Sequence, residues 1–146
     1  MKNTDANLTV IDTFAGSVEH DKDFEKNLFD RFSENIEPYD GRVETMIGKS
    51  SEKLKELKCG ECFDFIYVDG SHQAKDVLED AILAFPLLKE NGIMIFDDYT
   101  WRGGKDQYEL PAMGIDAFLF VYANQLNVLA KNQQVVLAKK FKNEIR

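Results

Sequence analysis

Two short apolar runs that each stop on acidic residues, with one helix-period segment between them, constrain this chain more than any other feature. The first is Phe63-Asp64-Phe65-Ile66-Tyr67-Val68-Asp69-Gly70-Ser71-His72, and the second is Gly92-Ile93-Met94-Ile95-Phe96-Asp97-Asp98-Tyr99. Between them Val77, Leu78, Ala81, Ile82, Phe85 and Leu88 recur at helical spacing, which predicts a helix from about Ala74 to Leu88 with a wide core-facing stripe. Strand, helix, strand is the crossover that joins parallel neighbours, and parallel α/β sheets bind their ligands at the carboxyl edge. The layout predicts that Asp69, Asp97 and Asp98 gather there. Three carboxylates so placed repel one another, which points to a hard divalent cation among them.

The remaining elements alternate in the same way. Leu8 to Phe14 reads as a strand carrying Asp12 at its end. Phe24, Leu28, Phe32 and Ile36 form one helix face, with Asp21 and Asp23 suited to its N-terminal end. Pro38 and Gly41 end that helix, and Arg42 to Ile47 is a short strand. Gly48-Lys49-Ser50-Ser51 is a turn in which Ser50 or Ser51 suits the cap of a small helix carrying Leu54 and Leu57. Pro86 bends or shortens the long helix, and Asn91-Gly92 signals a turn before Ile93 to Phe96. Trp101 to Pro111 reads as a mobile loop with a flexible point at Gly103-Gly104, and Ile115, Phe118, Leu119 and Tyr122 mark a further helix. Two final runs, Asn127 to Ala130 and Gln134 to Ala138, read as a closing hairpin. One α/β domain over 146 residues is the expected organisation.

A net charge of −8 argues against nucleic acid or an anionic membrane as partner. No run approaches the roughly 20 apolar residues of a membrane span, and a cytoplasmic setting is the expectation. Cys59 and Cys62 are the only cysteines. A redox dithiol or half a zinc site is open to them, but only His20 and His72 could complete the latter, and an incidental loop pair is the favoured reading.

The order strand-Asp12, helix, strand-Gly48-Lys49-Ser50, helix, strand-Asp69, helix, strand-Asp97-Asp98, helix, hairpin resembles a class I S-adenosylmethionine-dependent methyltransferase. Within that group it is most similar to the cation-dependent small-molecule O-methyltransferases of the catechol, caffeoyl-CoA and macrocin types. The resemblance covers about Leu8 to Lys140. It implies a Rossmann-like, mostly parallel α/β sheet with a C-terminal antiparallel hairpin. It also implies S-adenosylmethionine as cofactor and magnesium held by Asp69, Asp97 and Asp98. Asp12 matches the residue that binds the ribose hydroxyls, Ser50 and Ser51 match the segment beside the adenine, and Asp69 is counted with them as cofactor-facing. His72 stands where the catechol and caffeoyl-CoA types place a lysine base, and an imidazole of ordinary pKa, near 6.5, can accept a hydroxyl proton.

Tyr99 and Trp101, just beyond the acidic pair, are packing residues or an apolar wall for the acceptor. The expected partner is a small hydroxylated acceptor, and a homodimer is compatible with the resemblance. The family's first strand and its glycine-rich turn have no counterpart before Leu8, so an N-terminally truncated methyltransferase domain is expected. A non-catalytic module with a binding or scaffolding role is the alternative. A phospho-receiver domain is set aside because there the acidic pair comes early in the chain.

Overall fold

The structure is a computed structural model that describes residues 5–16, 27–103, 106 and 109–145. The chain divides into two compact units, Met1–Lys53 and Leu54–Arg146, each described by itself. Phe24, Asp21 and Asp23, and Gly104 of the loop before Pro111, lie outside the described residues.

In the first unit, β1 (Leu8–Asp12) and β2 (Val43–Ile47) pair in parallel, from Leu8 opposite Val43 to Asp12 opposite Ile47. Helix α1 (Leu28–Ile36) connects them. The Phe14 ring packs on Phe29 and Phe32 of that helix at centroid distances of 5.1 and 5.0 Å. A single 3-10 turn at Glu37–Tyr39, with Pro38 inside it, ends the helix as the sequence predicts.

The second unit begins with the end of helix α2 (Ser50–Glu56). Its sheet has the order β3-β4-β6-β5, where β3 is Phe63–Val68, β4 Leu88–Phe96, β5 Leu126–Lys131 and β6 Val135–Lys139. The β3/β4 pair is parallel, and the two pairs that β6 makes are antiparallel. Parallel strands joined by a crossover helix and followed by a terminal antiparallel hairpin are the mixed α/β arrangement that the sequence implies. Among the described residues, neither β1 nor β3 pairs with a second strand on its other edge.

Two boundaries differ from expectation. The crossover helix α3 spans Ala74–Ala84 and gives way to a 3-10 turn at Phe85–Leu87, because Pro86 cannot donate the next helical hydrogen bond. Leu88 therefore opens β4 rather than closing the helix. Asn91-Gly92 lies inside that strand rather than before it. The register jumps from Phe63 opposite Leu88 to Phe65 opposite Ile93, and Asn91 takes a φ of +59° within the irregularity.

Alternation along β3 turns Ile66 and Val68 toward the core and leaves Phe65 and Tyr67 exposed. The core holds Leu88, Met94 and Phe96 of β4, Val135 and Leu137 of β6, and Ile115 and Phe118 of helix α4 (Pro111–Val121). Phe118 is its centre, with Phe85, Phe96 and Tyr122 rings at 5.4, 5.6 and 4.6 Å. Cys59 and Cys62 are joined in a disulfide that closes the loop before β3, so neither is a free thiol. Among the described residues no helix is long and apolar enough to cross a membrane.

Candidate active site

The carboxyl edge of β3 and β4 brings together four of the residues singled out in the sequence. Beyond Val68 the chain turns through Asp69-Gly70-Ser71-His72-Gln73 into α3, and the Asp97 N–H donates to the Val68 carbonyl at 3.0 Å, holding the strand ends in step. The Ser71 hydroxyl accepts the Gln73 N–H at 3.0 Å and donates to Asp76 Oδ2 at 2.9 Å. Those two bonds pin the turn on either side of His72. Its Nε2 lies 3.0 Å from Asp98 Oδ2, and its ring packs on Trp101 at a tilt of 31° with centroids 4.3 Å apart. Asp98 reaches it from a left-handed backbone, φ +56°, a conformation that non-glycine residues adopt uncommonly.

Asp97 is engaged on both oxygens. Oδ2 accepts the Tyr67 hydroxyl. Oδ1 accepts the Asp98 N–H at 2.8 Å and Gln134 Nε2 at 3.1 Å. Gln134 Nε2 also donates to the Tyr67 oxygen at 2.9 Å. The Tyr67 phenol holds the Asp97 carboxyl below the usual carboxylate range, helped by the Asp98 N–H and Gln134 and opposed by partial burial. In return the bond to Asp97, then burial and the charges of Asp97, Asp69 and Asp98, push the phenol up to about 12.

The signs of the two shifts are opposite. Stability from the Tyr67 shift is complete below the ordinary tyrosine value of about 10 and is lost as pH rises through about 12. Stability from the Asp97 shift is complete above an ordinary carboxyl value of about 4 and is lost as pH falls through its lowered one. One tyrosine is thus expected to ionise near pH 12 in an alkaline absorbance titration, and that step is expected to vanish in Tyr67→Phe. A full complement of tyrosines ionising near pH 10 contradicts the assignment.

Asp69, His72, Asp97 and Asp98 line one cavity of about 10 Å³, together with Val77 and Pro111, which is room for about one water. Among the described residues, however, no group of three or more His, Cys, Asp or Glu is disposed to hold a metal ion. Protein donors take the place expected of a cation. Tyr67, Gln134 and a backbone N–H hydrogen-bond the charged Asp97 carboxylate, and His72 faces Asp98. As arranged, the three carboxylates do not fit a magnesium ion.

Asp12, Ser50 and Ser51 are gathered at the carboxyl edge of the first unit's sheet. The Gly48 N–H donates to the Asp12 carbonyl at 3.0 Å, setting the Gly48–Ser51 turn beside the strand end. The Asp12 side chain is exposed and spends one oxygen on the Phe14 N–H at 2.7 Å. A carboxylate so placed keeps acceptor capacity for a diol. Ser50 and Ser51 are not the helix cap: the Lys49 carbonyl accepts the first helical N–H groups, from Glu52 and Lys53 at 3.0 Å, so the two serines are the first helical residues.

Trp101 belongs to the site through its ring contact with His72. Tyr99 instead packs against the core and directs its hydroxyl to both Asp116 oxygens at 3.2 Å. Tyr67 and Gln134 are the residues that sequence reasoning missed. Strand alternation places Tyr67 on the same side as Asp69, a signal that was there to read. Nothing local marks Gln134.

Each unit thus carries polar residues at the carboxyl edge of a parallel strand pair, Asp12 with Ser50 and Ser51 in the first and Asp69, His72 and Asp98 in the second. A family model described as a methyltransferase domain matches residues 1–99, and the chain belongs to that methyltransferase domain family. Solved structures of similar fold include the O-methyltransferase NovP, with a TM-score of 0.65 and 15% identity over 96% of this chain and 62% of that one. A second is the O-methyltransferase from Bacillus cereus in complex with SAH, with a TM-score of 0.61 and 18% identity over 91% of this chain and 74% of that one. A third is the MycE methyltransferase of mycinamycin biosynthesis in complex with Mg, SAH and mycinamycin VI, with a TM-score of 0.58 and 16% identity over 93% of this chain and 45% of that one. The chain thus spans 62% of the length of NovP and 45% of MycE. No curated protein sequence matches it.

Proposed function

We propose that this chain takes part in S-adenosylmethionine-dependent O-methylation of a small hydroxylated acceptor. The observation that carries the reading is the His72–Asp98 pair, set at the carboxyl edge of the sheet in a chain of the methyltransferase domain family. Similar folds solved with SAH support the choice of cofactor. Asp12 would hold the ribose hydroxyls, Ser50 and Ser51 the adenine side, and Asp69 a further polar contact. The cofactor supplies an electrophilic methyl group on a sulfonium. The site would have to hold the acceptor oxygen against that methyl group. The hydroxyl proton of the acceptor would pass to the His72 imidazole, which leaves the oxygen nucleophilic toward the methyl group. Asp98 then stabilises the imidazolium from 3.0 Å. Trp101, against the imidazole face, limits its rotation.

A magnesium-assisted version draws support from the shared cavity of the three carboxylates and from the Mg-containing MycE complex. It also requires Tyr67, Gln134 and His72 to give up their present bonds, so no step is assigned to the ion.

The test is calorimetric titration of the full-length protein with S-adenosylhomocysteine, followed by methyl transfer to a panel of phenolic, sugar and polyketide hydroxyls. Binding and transfer are expected, with turnover in excess EDTA within about twofold of that without it, because protein donors satisfy the carboxylates. Failure to bind the product favours the non-catalytic alternative. Turnover lost in EDTA and restored by magnesium returns Asp69, Asp97 and Asp98 to the role of ligands.

A further inference from the structure

We propose that Tyr67 and Gln134 are positioning residues that lock the Asp97 carboxylate, and through it the turn at Asp98 that presents a carboxylate to His72. The catalytic part of this inference rests on the function proposed above. Three groups distant in the chain close a ring of hydrogen bonds. The Tyr67 hydroxyl donates to Asp97 Oδ2, and Gln134 Nε2 donates both to the Tyr67 oxygen at 2.9 Å and to Asp97 Oδ1 at 3.1 Å. A carboxylate held on both oxygens cannot turn about its Cβ–Cγ bond without breaking those bonds together. The fixed Oδ1 takes the Asp98 N–H at 2.8 Å, which steadies the left-handed backbone at Asp98, φ +56°. From that backbone the Asp98 carboxylate meets Nε2 of His72 at 3.0 Å.

The fold itself does not require this ring. Tyr67 is 43% exposed on the face of β3 away from the core, so its hydroxyl supports no buried packing. Gln134 comes from the β5–β6 turn, whose backbone is already tied to the end of β4 by the Tyr99 N–H donating to the Gln133 carbonyl at 3.0 Å. Two polar side chains that the core does not need converge on one carboxylate beside the imidazole. The phenol keeps its proton and stays a donor.

The variants are Tyr67→Phe and Gln134→Met, which keep size and remove the donors, made in the full-length protein. Without substrate, backbone amide hydrogen exchange at Asp98 is expected to quicken about tenfold in each, the loss of one modest hydrogen bond, while the Met94 and Ile95 amides keep wild-type rates. With substrate, kcat is expected to fall about tenfold while both KM values stay within about twofold. Unchanged Asp98 exchange in both variants overturns the lock. Faster exchange with wild-type kcat overturns its link to the chemistry. If the wild-type protein transfers no methyl group, the proposed function falls, and the exchange result alone decides the lock.

Discussion

Replacing Gly114 with alanine is expected to destabilise the unit Leu54–Arg146 by about 3 kcal/mol. Gly114 sits on the buried side of α4, near Ile115 and Phe118, where α4 crosses the start of α3. A Cβ added there would lie 2.1 Å from the carbonyl oxygen of Ala74 and 3.0 Å from its carbonyl carbon. Both atoms are backbone, so no rotamer change relieves the clash, and the helices must separate. Alanine is the better helix former by about 1 kcal/mol, which offsets only part of the strain. The opening also reaches the site, because Ala74 is the first residue of α3 and follows directly on the turn that carries His72. Urea denaturation followed by circular dichroism measures the loss, and a change below 1 kcal/mol contradicts the close approach. Trimming the facing side chain with Ala74→Gly is expected not to rescue the variant, because the obstacle is the peptide itself.

The same crossing shows what a sequence can and cannot convey. The β3–α3–β4 crossover and the terminal hairpin were legible because their apolar periods, 3.6 and 2, are local properties of the chain. Positions at strand ends follow from those periods, which is why Asp69, His72, Asp97 and Asp98 were found and do meet at one edge. Errors arose where a local signal competed with pairing. Asn91-Gly92 has turn chemistry, yet β3 draws Leu88 and Ile93 into one strand around it, and Gly92 has no room for a side chain: its Cβ would be 2.8 Å from Leu88 Cδ1. Ser50 and Ser51 have capping side chains, yet the strand end at Asp12 fixes the turn so that Lys49 takes the capping position. The inference of a cation counted charges and left out donors. The donors were Tyr67, thirty residues from Asp97 but readable from the alternation of β3, and Gln134, thirty-seven from it, which no local period marks.

His72→Ala is expected to lower kcat for methyl transfer by roughly 10²- to 10³-fold while leaving S-adenosylhomocysteine affinity within about twofold of wild type. The reasoning is positional. The residues matched to the nucleoside are Asp12, Ser50 and Ser51, whereas His72 is fixed by Ser71, Asp98 and Trp101 at the strand edge of the other unit. Loss of the imidazole therefore removes the proton acceptor and not the nucleoside contacts. Asp98→Asn is expected to be milder, about tenfold to thirtyfold, because an amide still reaches Nε2 but no longer stabilises the imidazolium. If Asp98 serves the reaction only through His72, the double variant His72→Ala/Asp98→Asn should be no slower than His72→Ala alone, since groups that act as one unit do not add. Single-turnover rates of the three variants decide it. A double variant slowed by the product of the two single losses shows Asp98 in contact with the reacting groups on its own account. A His72→Ala enzyme with wild-type kcat removes the imidazole from the reaction and leaves the Asp97–Asp98 edge as the place to seek the base.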